Sequence, residues 1–162
     1  MNFKKDTLKF KHIYRGKVLD NNDPDELGRI KVQVLNVLEG IEAAFLPWAI
    51  PAMSLFTGSG NGFGCFTVPE VDSYVWCFFE AGDIYQPVYF AEALSGVHGL
   101  PVERETDYPN TKVMKTKNGI VITINDKLES EEIKILHPTG AFIQIDKSGN
   151  ITVSGNRIDL NP

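Results

Sequence analysis

Apolar and polar residues alternate along most of the chain with a period of two, the period of an extended strand whose successive side chains point to opposite faces. The first two strands this predicts lie at 12–19 and 28–35. In the second, Ile30, Val32 and Val34 face one way and Arg29, Lys31 and Gln33 the other. A loop through Pro47, Trp48 and Pro51 follows, then the glycine-rich stretch GSGNGFG at 58–64, then strands at 73–80 and 86–91. The 73–80 segment, SYVWCFFE, is apolar on both parities, so it belongs in the centre of a sheet or in an interface. No long helical periodicity occurs. Five or so short antiparallel strands between residues 10 and 95 close most economically into a small barrel, which leaves no sheet edge open.

Residues 96–112, GVHGLPVERETDYPNTK, lose the alternation and gain proline and charge, which predicts a linker. From 113 to 162 the pattern returns in a different form. Ile120, Ile122 and Ile124 alternate, and further apolar pairs follow at short, nearly regular intervals: Ile133 and Ile135, Ile143 and Ile145, Ile151 and Val153, Ile158 and Leu160. Gly140, Gly149 and Gly155 stand in the turns between them. Such a run predicts a stacked β-structure in which each rung buries one thin face. The sequence offers no second layer to cover that face, so other copies of the chain are expected to supply it, with the eight paired residues from Ile133 to Leu160 as the shared core. Hairpins folded back onto the barrel are the alternative.

Charge refines this picture. The 162 residues include sixteen Lys and Arg against twenty-one Asp and Glu, a net charge of −5, which argues against non-specific binding of nucleic acid. Lys4, Lys5, Lys9, Lys11, Arg15 and Lys17 nevertheless crowd the first seventeen residues, opposed only by Asp6. They read either as a solvated arm or as a docking element for an acidic partner. Cys65 and Cys77, in the apolar contexts GCF and WCFF, read as core residues rather than as a disulfide or zinc site. No apolar run reaches membrane-spanning length and no export signal is recognisable, so a soluble protein made in the cytosol is expected.

Candidate chemistry is sparse. Asp20, Asp23, Asp25 and Glu26 suggest a calcium loop, but starting the template at Asn21 puts Glu26 where a glycine is required and Val32 where the closing acid belongs. GSGNGFG fails the phosphate-loop patterns, since Phe63 occupies the third glycine position and no Lys-Ser or Lys-Thr follows. His12, His98 and His137 are scattered, and Glu70, Glu80 and Asp83 read as solvated loop acids rather than a glycosidase pair. A single-strand-binding barrel needs stacking aromatics in a basic groove. Tyr14, Trp48, Phe63, Phe66, Tyr74 and Trp76 are available, yet residues 45–95 contain no Lys or Arg. Burial in a core or an interface accounts for those rings better, and no catalytic residue, metal or cofactor is expected.

The order NNDPDELGRIKVQV, LPWAIPA, GNGFGCFTVPEVDSYVWCFFEAGDIYQPVYFA, spanning roughly residues 12 to 92, resembles the OB-fold domain of the central-spike family of contractile injection machines. That family includes phage baseplate spikes, cell-puncturing devices and part of the type VI secretion spike. The most specific pieces are Gly28-Arg29-Ile30, Leu46-Pro47-Trp48, Pro69-Glu70-Val71, Val75-Trp76, Phe79-Glu80, Gly82-Asp83 and Pro87-Val88. The resemblance implies an all-β chain: an OB domain with a basic arm over 1–95, the linker at 96–112, and a trimeric β-helical or β-prism needle over 113–162. It implies a homotrimeric virion structural protein in the tail baseplate that pierces the target cell envelope. An OB-type single-stranded nucleic-acid or carbohydrate-binding module is the alternative. The acidic turn at 20–26 becomes the connection between the first two barrel strands. Asp72 stands where the family often has glycine, which leaves the conformation of that turn open. No lysozyme-like insertion and no His-x-His tip motif occur, so neither wall cleavage nor a tip iron is expected. A hub on a separate polypeptide is implied, a target for the basic arm. A brief needle implies a separate tip-capping protein or a truncated chain.

Overall fold

The computed structural model describes residues 10–53, 62–95 and 99–160. The chain divides into two units, residues 1–98 and 99–162.

In the N-terminal unit, β1 (Tyr14–Asp20), β2 (Ile30–Val34), β3 (Trp48–Pro51), β4 (Tyr74–Phe79) and β5 (Pro87–Glu92) close a barrel in the order β1-β2-β3-β5-β4. Alternation sets which side chains fill it. Val18, Ile30, Val32, Val34, Val75, Cys77 and Phe79 point inward and are buried, joined by Leu38, Leu46, Ala49 and Tyr89. Two expectations are corrected here. Trp48–Pro51 is a strand rather than a loop, and it pairs with β5 in parallel, Ile50 opposite Val88, so the barrel is not wholly antiparallel. Prolines at 47 and 51 mask β3 in the sequence, because proline is tolerated only at the ends of such a strand. Gly16 is in β1 because the barrel is narrow there: a Cβ at this position would lie 2.1 Å from Val32 Cγ1.

The tight turn before β4 answers the question of Asp72. Its φ of 71° is the left-handed conformation that glycine favours and that Asp tolerates better than most residues. The Asp72 carboxylate meets Lys17 Nζ at 2.7 Å. Cys77 is buried as expected, its thiol pushed up to about 12 by desolvation. Cys65 is exposed and does not belong to the core. The glycine-rich stretch lies largely outside the described residues, which resume at Gly62.

The C-terminal unit is one antiparallel sheet in the order β10-β9-β8-β7-β6, built from β6 (Thr111–Lys115), β7 (Val121–Asn125), β8 (Glu132–Leu136), β9 (Phe142–Ile145) and β10 (Ile151–Ser154). Three of its four hairpins turn through a glycine of positive φ, and each closes with the same bond: Gly119, Gly140 and Gly149 donate to the carbonyls of Thr116, His137 and Asp146, each at 2.9 Å. Within the segment read as a linker, the described residues from 99 onward carry local structure. Val102–Glu105 forms a 3-10 turn, Lys115 Nζ bonds Glu103 Oε1 at 2.6 Å, and β6 begins at Thr111. Each strand joins its sequence neighbour, so within one chain the sheet is a meander and not a winding helix.

Candidate functional site

The register of the meander sorts its side chains into two faces. Ile124, Ile133, Ile145 and Ile151 stand opposite one another across β7 to β10, and Lys112 on β6 completes the column. Two residues along, Met114, Ile122, Ile135, Ile143 and Val153 form a second column across all five strands. Period-two geometry puts both columns on the same face. The result is a grid of ten positions, nine of them apolar. Six of the predicted shared-core residues lie in it: Ile133, Ile135, Ile143, Ile145, Ile151 and Val153. Ile158 and Leu160 follow β10 without joining a strand, though Ile158 borders a groove with Ile135, Ile143 and Val153. Ile122, Ile124 and Met114 belong to the grid as well, and their alternation with the polar residues of β6 and β7 was the signal for them.

This apolar face is the uncovered one. Its isoleucines from 124 to 151 retain 39 to 70 % of their surface, and Val153 retains 50 %. The opposite, polar face is better covered. Val121 is buried, Lys134 lays its ammonium 4.8 Å from the Phe142 ring centroid, and Gln144 donates to Glu132 at 2.6 Å. An ordinary two-layer protein has the reverse arrangement, because a sheet gains its stability by burying its apolar side. Contiguous exposed apolar patches are uncommon on proteins that act alone.

The barrel holds a second concentration of contacts, in the 20–29 loop. Asp23 is 8 % exposed, and its carboxylate accepts the backbone N–H groups of Asp25 (3.1 Å), Leu27 (2.9 Å) and Arg29 (3.1 Å). Arg29 adds Nε at 3.0 Å and Nη2 at 2.5 Å, and also reaches Asp25. The Arg29 guanidinium and these N–H groups hold the Asp23 carboxyl well below the usual carboxylate range. The buried Tyr89 hydroxyl closes the base of the loop by donating to the Gly28 carbonyl at 2.6 Å. The acids therefore serve as a clip. The sequence pattern showed the turn but not the clip, which depends on Arg29 folding back six residues.

Of the proposed docking cations, Lys4, Lys5 and Lys9 lie outside the described residues. Lys11 is exposed, Arg15 places its guanidinium 5.1 Å from the Trp76 ring centroid, and Lys17 pairs with Asp72. Folding also brings cations to an aromatic that has none near it in sequence: Arg29 and Lys31 lie 5.7 and 5.0 Å from the Trp48 ring centroid. These charges are already engaged, Arg29 by Asp23 and Asp25, Lys31 by the Ala44 carbonyl at 3.1 Å. Arg29 and Lys31 thus combine their contact with the Trp48 ring with polar partners inside the barrel unit. Among the described residues no group of three or more His, Cys, Asp or Glu side chains converges as a metal cradle.

The profile of the type VI secretion system/phage-baseplate injector OB domain matches residues 14–93, which takes in β1 to β5. Residues 14–93 belong to this family. The closed five-stranded barrel is its injector OB domain, and the family is a structural one of the baseplate. Curated proteins yield no match to the chain. The isoleucine sheet lies beyond the residues that the injector OB domain accounts for.

Proposed function

We propose that the chain is the central spike of a contractile-tail baseplate, in which three copies pack the isoleucine faces of their C-terminal sheets together as a β-prism stalk carried by the injector OB domains. The family match supports a baseplate spike role in broad terms, and the uncovered grid of branched aliphatic side chains carries the finer reading. Half-exposed Ile, Val and Met side chains at nine positions contribute on the order of 10 kcal/mol per copy when covered. That is comparable with the cost of lost translational and rotational freedom on association.

The work of such a spike is mechanical. Branched side chains locked between three sheets resist shear, and strands lying across the stalk hydrogen-bond continuously along it, so thrust from a contracting sheath passes into the target envelope. In this reading a separate hub protein holds the barrel end, with the exposed Lys11 as one point of contact, and a separate protein caps the tip. The location is the tail baseplate of a virion. Lysine-directed cross-linking across a dilution series tests the assembly: the ladder stops at three chains and persists at low concentration. A ladder that ends at one chain, or that climbs without limit, contradicts the proposal.

A further inference from the structure

Resting on that trimeric reading, the grid has one position that apolar packing does not explain. Lys112 occupies the β6 place in the column Ile124, Ile133, Ile145, Ile151. Its ammonium bonds the Asn110 carbonyl at 2.8 Å and the Asp126 carboxylate, and both charged side chains are more than half exposed. The Asp126 backbone N–H in turn donates to the Asn110 carbonyl at 3.4 Å, tying the segment before β6 to the end of β7. At the first level of the sheet, therefore, the apolar face ends in a fixed, solvated ion pair.

We propose that Lys112, held by Asp126, sets the axial register in which copies of the sheet assemble. The need for such a device follows from the sequence of the grid itself. Levels β7 to β10 each present two β-branched residues, Ile122 with Ile124, Ile135 with Ile133, Ile143 with Ile145, Val153 with Ile151. Sliding one copy past the others by one strand, about 4.8 Å, again sets β-branched side chain against β-branched side chain wherever levels β7 to β10 still face one another, and only the β6 level meets something new. Apolar packing alone barely distinguishes the slipped state from the aligned one, since repetitive faces specify register weakly. Lys112 distinguishes them. When the copies are level, all Lys112–Asp126 pairs lie together at the end of the apolar face, within reach of water. When one copy slips, a Lys112 is pressed against Ile124 of its neighbour, and an ammonium loses hydration without gaining a partner. One polar residue in an apolar seam fixes alignment in coiled coils by the same physics.

The test is a distance measurement between copies of the full chain. A spin label is attached through Ser154→Cys on the polar face, in a Cys65→Ser background that removes the exposed native thiol. The parent protein gives one narrow inter-copy distance. Lys112→Ile adds a second population, displaced and broadened, while Lys112→Arg keeps the single distance because the charge and its Asp126 partner remain. A Lys112→Ile protein with the same single distance as the parent overturns the register role and leaves the trimer standing. A parent protein with no inter-copy distance at all removes the assembly, and the lock with it.

Discussion

Asp23 and Arg29 show how much of the barrel's rim depends on one carboxylate. The depressed ionisation of Asp23 arises first from the Arg29 side chain and then from the three backbone N–H groups, which together outweigh the cost of burial. An acid whose folded pKa is depressed contributes its full stability above the unfolded value of about 3.9 and loses it as the pH falls below that. The barrel's unfolding midpoint in urea is therefore expected to be flat through neutral pH and to fall steeply below about pH 4. Asp23→Asn lowers the midpoint at pH 7 and removes most of the acid dependence. Gly16 is a second sensitive residue, for a steric reason. Adding one methyl 2.1 Å from Val32 forces β1 and β2 apart, so Gly16→Ala is expected to cost about 1 to 3 kcal/mol in equilibrium denaturation. A neutral effect would mean that the strands approach less closely than described.

Among the elements, those with clean alternation were legible from the pattern and the others were not. Ile30, Val32 and Val34 on β2, and Val75, Cys77 and Phe79 on β4, point inward as their spacing requires. β3 was hidden because a four-residue strand bounded by prolines carries too little periodicity, and its parallel pairing with β5 is a long-range property that no local signal encodes. Cys65 looked like core from its apolar neighbours, but it lies outside every strand and nothing fixes its orientation inward. In the C-terminal sheet the isoleucine pairs mark the apolar face in the sequence, while the place of Lys112 in the column depends on pairing across a hairpin, which no local pattern encodes. The face yields its own prediction. Ile135→Arg puts a charge at the middle of the grid and is expected to yield single chains by sedimentation, with the barrel's near-ultraviolet circular dichroism unchanged. Retention of the assembly would place the contact elsewhere.

At the scale of the molecule, the two units differ in how much of their apolar surface they bury. The barrel closes on itself, leaves no free edge and buries its own core. The sheet of the second unit leaves its isoleucine face largely exposed, an imbalance that the proposed packing of like copies would remove. Symmetry makes the same surface available on every copy, and three sheets meeting face to face form a closed prism with no apolar side left outward. Whether three copies assemble is read most directly from the mass of the full chain by multi-angle light scattering, followed by dilution to micromolar concentration. A trimeric stalk gives a mass three times the chain's 18.1 kDa that holds on dilution. A well-folded particle of 18.1 kDa would contradict it.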